Sequence, residues 1–196
     1  MNTGVFLNAV NNIDFNNFKI EFIKQNLSEI DKQNLLVAIL ENGYNYKNFN
    51  FYKLIFDLII DRRLNLNFIA NDILNTPFLI IIVDYAPCKE LFEYFIDRGA
   101  KINFYDTQSD EPETCLDFLQ NYIEDTLVDD LSDGFYFKVK SDYGTLSNDK
   151  LSIDKENYDQ LIIQSTLLYK LRNATILRNY IIATGGKMYR ELNQKK

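Results

Sequence analysis

The 196-residue chain contains no histidine and no tryptophan, only two cysteines, three prolines and seven glycines. Without histidine there is no Ser-His-Asp triad, no Cys-His dyad, no histidine-ligated zinc, and no side chain that ordinarily titrates near neutrality. Cys88 and Cys115 are too few for a disulfide framework, and no C-x-x-C spacing offers a metal knuckle. One bridge between them is possible; two reduced, packed thiols is the simpler reading. No apolar run exceeds six residues, the length of Phe78–Val83, where a bilayer span needs about 20. Met1–Val10 has neither a basic start nor a small-residue cleavage site, so no secretory signal is read there and a cytoplasmic location is expected. There is no phosphate-binding loop, dinucleotide fingerprint or nucleophile elbow. The double glycine Gly185-Gly186 reads as a helix stop. No cofactor or metal and no catalysis is expected.

What is present is apolar and acidic. Hydrophobic residues make up 46% of the chain, enough for one buried core, and 28 acids against 21 bases give a net charge of −7. That sign argues against nonspecific nucleic-acid binding and against adhesion to anionic membrane. The apolar residues recur at three- and four-residue steps: Phe15, Phe18, Phe22 and Ile23; Leu35, Leu36, Ile39 and Leu40; Leu54, Ile55, Leu58 and Ile59; Leu91, Phe92, Phe95 and Ile96. Such spacing predicts short amphipathic helices, and scarce Gly and Pro fit helices joined by tight turns.

Two segments match at an offset of 36 residues: Asp61 with Asp97, Arg62 with Arg98, Leu66 with Ile102, Asn67 with Asn103 and Phe68 with Phe104, with Phe56 and Ile60 over Phe92 and Ile96 upstream. The chain carries an internal helical repeat. Its second copy resembles an ankyrin repeat: Thr76-Pro77-Phe78-Leu79, an apolar helix to Val83, a turn at Tyr85-Ala86-Pro87, a helix from Lys89 to Asp97, then Arg98-Gly99-Ala100-Lys101-Ile102-Asn103. In that pattern Thr76 caps the first helix, Pro77 takes its first position, Gly99 supplies the left-handed stop and Asn103 ties the following turn.

The resemblance implies an all-α, ankyrin-like helical solenoid of about four repeats in a single domain. Residues 1–31 form an N-terminal capping repeat and 32–73 a repeat without the Thr-Pro and with Arg63 where glycine is usual. Residues 74–106 are the best match. Residues 107–192 form a last repeat, with Cys115 in the proline position, interrupted by an insertion at 125–173. The alternation of Phe135, Phe137 and Val139 beside Gly144 makes that insertion partly β, and Tyr158, Leu161, Ile162, Ser165, Leu168 and Tyr169 predict a helix in its second half.

Charge is unevenly placed. Between Ile102 and Phe137 there is no Lys or Arg, but there are Asp106, Asp110, Glu111, Glu113, Asp117, Glu124, Asp125, Asp129, Asp130 and Asp133. From Leu167 onward, Lys170, Arg172, Arg178, Lys187, Arg190, Lys195 and Lys196 face Glu191 alone. The acidic run is either a solvated face or a recognition surface for a basic partner. It is no EF-hand: counted from Asp129, the third position is Leu131 and the twelfth Lys140. The aromatics Tyr44, Tyr46, Phe104, Tyr105 and Tyr136 fall in loops, where rings serve as interface anchors. The candidate binding set is therefore Tyr44, Tyr46, Phe104, Tyr105, Asp106, Asp110, Glu111, Glu113, Asp129, Asp130, Asp133 and Tyr136.

These readings converge on a monomeric, non-catalytic protein-binding module. The concrete form is an immunity protein that neutralises a toxin domain with a basic surface, in a bacterium with an AT-rich genome. The alternatives are an ankyrin-type scaffold or effector that binds a cellular or host protein, and a hydrolase using paired carboxylates.

Overall fold

Side chains close the starts of two of the early helices. Asp14 accepts the Asn17 N–H at 2.9 Å to begin one helix. Ser28 and Asp31 exchange side-chain and backbone bonds, each 3.2 Å, to begin the next. The computed structural model describes residues 1–42, 44–61, 64–70, 75–125, 169 and 171–193, with the side chains of Tyr46 and Asp125 outside that description. Along the chain run α1 (Thr3–Asn11), α2 (Phe15–Gln25), α3 (Glu29–Glu41), a 3-10 turn (Tyr46–Asn48), α4 (Phe49–Ile59), α5 (Phe78–Tyr85), α6 (Lys89–Ile96), α7 (Cys115–Asp125), α8 (171–183) and α9 (Tyr189–Asn193). The described residues are all-helical, with no strand; one antiparallel bridge, Ile69–Pro77, closes the loop between α4 and α5.

The helices form two rows. α1, α3, α5 and α7 touch in that order, and α2 packs on α4. The second row continues from α4 to α6 through the Phe56 and Phe95 rings, 5.3 Å apart, and from α6 to α8 through Phe92 and Tyr180, 6.3 Å apart. α5 touches α3, α6 and α7, which is why every residue from Phe78 to Val83 is buried and the helix has no polar stripe. Phe6, Phe18, Phe56, Phe78, Phe92 and Phe95 are completely enclosed. At about 1.5–3 kcal/mol each, they outweigh single loop hydrogen bonds at about 1 kcal/mol, so the core sets the stacking.

Some expectations shift. The chain reads as starting its fifth helix at Pro77 under a Thr76 cap. Instead the helix starts at Phe78, with Pro77 as the cap residue. The Thr76 carbonyl is engaged by the Ala70 N–H at 2.8 Å, drawing Thr76 into the bridge. The two cysteines are free thiols, so the bridged alternative does not form. The insertion at 125–173 lies largely outside the described residues, as does Arg63; toward its end Tyr169 and residues 171–173 are helical. Among the described residues, no helix is long and apolar enough to cross a membrane.

Candidate partner-binding surface

The loop from α6 to α7 is ordered by its own side chains. Gly99, at φ +100°, turns the chain out of α6 in a conformation that other residues adopt only with strain. Phe104 N–H then donates to the Lys101 carbonyl at 2.9 Å. Asp106 Oδ1 accepts from Gln108 N–H at 2.8 Å, and Ser109 Oγ from Glu111 N–H at 3.2 Å, fixing two successive turns. At the far end Thr114 and Asp117 form a capping pair: Asp117 Oδ2 receives the Thr114 N–H at 2.9 Å and its hydroxyl at 2.7 Å. The same oxygen receives the Tyr189 N–H at 2.8 Å, tying α9 to the loop.

Phe104, Tyr105 and Asp106 are half-buried and, with exposed Asp110, line a cleft of about 730 Å³ whose other wall is Ile69 and Asn75. The Tyr105 ring meets Tyr189 edge-on, centroids 5.0 Å apart, so one of its sides is already packed. Asp110 and Glu111 are exposed. Glu113 is half-buried and accepts Asn121 Nδ2–H at 3.0 Å. Burial, reinforced by the nearby charges of Asp117 and Glu111, pushes its carboxyl above the ordinary range. Among the described residues, no salt bridge reaches Asp106, Asp110, Glu111 or Glu113.

The other candidates do not join this group. Tyr44 and Tyr46 belong to the α3–α4 turn, at the opposite helix ends. Tyr44 packs 4.8 Å from Tyr52, and its buried hydroxyl has no hydrogen-bond partner among the described residues. Burial first, then Cys88, Tyr52 and Glu90, push that hydroxyl far above its usual pKa. Asp129, Asp130, Asp133 and Tyr136 lie outside the described residues.

No family model, curated protein or solved structure matches the chain. Its chemistry must therefore be read from its own groups. Burial raises the Cys88 thiol to about 11 and Cys115 to about 12, so neither is a thiolate nucleophile at neutral pH. Among the described residues, no three His, Cys, Asp or Glu side chains gather to hold a metal ion. What the loop offers is a fixed, acidic, partly aromatic contact surface. Sequence reasoning missed Tyr189 as its buttress and Asp117 as its anchor. The spacing Thr114-x-x-Asp117 is a capping signal that points to the second; nothing in the sequence pairs Tyr105 with a residue so distant.

Proposed function

We propose that this chain is a non-catalytic, ankyrin-type binding module that acts as an immunity protein, neutralising a basic toxin domain by direct contact. The observation that carries the reading is the acidic loop. Asp106, Asp110, Glu111 and Glu113 stand within eight positions on a backbone fixed by its own side chains, with no salt bridge to compensate them among the described residues. A partner's Lys and Arg residues would meet acceptors already held in place, so little ordering entropy opposes association, and the uncompensated charge steers the encounter. The two rows of helix pairs support the ankyrin reading, since stacked pairs offer loops in register along one edge.

The test is capture from the native organism, followed by binding kinetics. The expected partner is a basic toxin encoded beside this chain. Asp110→Lys combined with Glu111→Lys is expected to slow association by about tenfold or more at low salt, with the difference shrinking as salt rises. Capture of an unrelated cellular protein would replace the immunity reading with the scaffold reading. An unchanged association rate for the double variant would remove the acidic loop from the interface.

A further inference from the structure

At the other end of the helices lies a second cleft, of about 560 Å³. Among the described residues three separate stretches line it: Tyr44 and Phe49 around the α3–α4 turn, the segment from Tyr85 to Glu90, and Tyr169 together with Asn173 and Ile176 of α8. Tyr85, Tyr169 and Ile176 are 50%, 42% and 43% exposed, so apolar surface from distant parts of the sequence gathers on one opening. Four aromatic rings border it, and the π face of a ring carries partial negative charge. Among the described residues the lining carries one carboxylate, Glu90, which is exposed and accepts a hydrogen bond from the Cys88 thiol at 3.0 Å. That hydrogen bond holds its carboxyl below the ordinary range.

Lys89, the cation among the described lining residues, is engaged elsewhere. The Lys89 ammonium lies 3.4 Å from Glu93 and 5.1 Å from the Tyr180 ring centroid, and neither residue borders the cleft. The remaining groups select among ligands. An anion would face π electrons and Glu90 together. A purely apolar ligand would gain from the rings but draw nothing from the carboxylate. An organic cation gains from both. The fold uses the same attraction internally, with the Arg98 guanidinium 3.5 Å over the Tyr94 ring.

We propose that this cleft binds an organic cation of the alkylammonium or alkylguanidinium class, seated among Tyr44, Phe49, Tyr85 and Tyr169 with Glu90 as its counter-ion. The site stands apart from the acidic loop and does not depend on the immunity reading. Nitrogen-15-labelled full-length protein titrated with choline, n-butylammonium and n-butylguanidinium is expected to show amide shifts at 44, 85, 86, 88–90 and 169–176. The neutral isosteres 3,3-dimethyl-1-butanol and 1-butanol should need about tenfold more ligand than choline and n-butylammonium, the factor that 1.4 kcal/mol of cation–π and ionic attraction gives. Glu90→Gln should weaken the cations by about threefold or more and leave the neutral compounds within about twofold. Asp110→Asn with Glu111→Gln should change neither, which separates a built site from general attraction to an acidic protein. Tightest binding of choline assigns the site to free quaternary amines; tightest binding of the butyl compounds assigns it to a basic side chain of a protein. Equal binding of the neutral isosteres, no effect of Glu90→Gln, or shifts confined to 104–113 would each overturn the proposal.

Discussion

Asn67 and Asn103, 36 residues apart, make the same pair of hydrogen bonds to the helix pair that follows each of them. Asn67 Nδ2 donates to the Gly99 carbonyl at 3.1 Å while its Oδ1 accepts the Lys101 N–H at 2.6 Å. Asn103 Nδ2 donates to the Gly185 carbonyl at 3.2 Å while its Oδ1 accepts the Lys187 N–H at 2.7 Å. Both receiving turns hinge on a left-handed glycine, at φ +100° and +94°. The asparagines are 36 residues apart and the glycines 86, so the later clasp accommodates 50 additional residues without changing its geometry. One unit earlier, Asn65 stands where Lys101 stands later. Glu29 accepts its N–H at 3.1 Å and Gln33 donates to its carbonyl at 3.0 Å.

The clasp predicts a stability cost. Asn103→Ala removes both bonds at once, and two hydrogen bonds of ordinary strength amount to about 1–3 kcal/mol. Urea denaturation is expected to show a lower midpoint with an unchanged slope, because the surface exposed on unfolding is the same. A midpoint equal to that of the parent protein would mean that packing alone sets the register of α8.

Much of this architecture was legible because it is local. The three- and four-residue spacing of Phe15, Phe18 and Phe22 marks α2, and Gly99 and Gly185 mark helix ends where the left-handed backbone demands them. The repeated Asp-Arg and Asn-Phe positions announced paired helices. What was not legible depends on contacts across long stretches of chain. Tyr105 meets Tyr189, and Tyr44 shares a cleft with Glu90 and Tyr169, only because the rows of helices bring separate turns together. Periodicity reports which face of a helix is apolar, not which distant residue covers it. Thr76 misled for a related reason: a good capping residue was taken up by a backbone bridge to Ala70.

Ile13 offers a place to stabilise the chain. It sits in the α1–α2 turn at φ +55°, where a branched Cβ crowds the backbone, and it is 54% exposed. Replacing it with Asn relieves about 1 kcal/mol of left-handed strain at little loss of buried surface. The expected rise in Tm is about 2–4 °C for a chain of this size. Scanning calorimetry decides it, and a lower Tm would show that the exposed isoleucine packs more than it strains.

Asp117 gathers three groups on one oxygen; Ala in its place strands the Thr114 and Tyr189 N–H groups, while the Thr114 hydroxyl keeps the Lys187 carbonyl at 2.9 Å. Hydrogen bonds to a charged acceptor are worth about 1.5–3 kcal/mol, so Asp117→Ala is expected to lower stability by about 2–3 kcal/mol. The loss should be local before it is global. Hydrogen exchange at Thr114 and Tyr189 is expected to speed up while amides in α5 stay protected. Uniform acceleration across both regions would mean that α9 is part of the cooperative core.

Glu113 gives the chain an acid-side signature of defined sign. Its carboxyl is raised above that of an ordinary glutamate, first by burial and then by the charge of Asp117. A raised acid binds its proton more tightly in the folded state than in the unfolded state. Its contribution therefore favours folding as pH falls through the raised value, is complete below the unfolded value, and is lost as pH climbs back. Glu113→Gln keeps the acceptor for Asn121 and removes the charge. The variant is expected to unfold at higher urea than the parent at pH 7, with the gap closing as the parent carboxyl protonates. Asp31 and Glu90 titrate in the opposite direction, being lowered by bonds from Ser28 and Cys88, and are unchanged in the variant. Comparing parent and variant at each pH thus isolates Glu113, and a gap that stays constant from pH 7 to well below 4.5 would show that its charge carries no folding penalty.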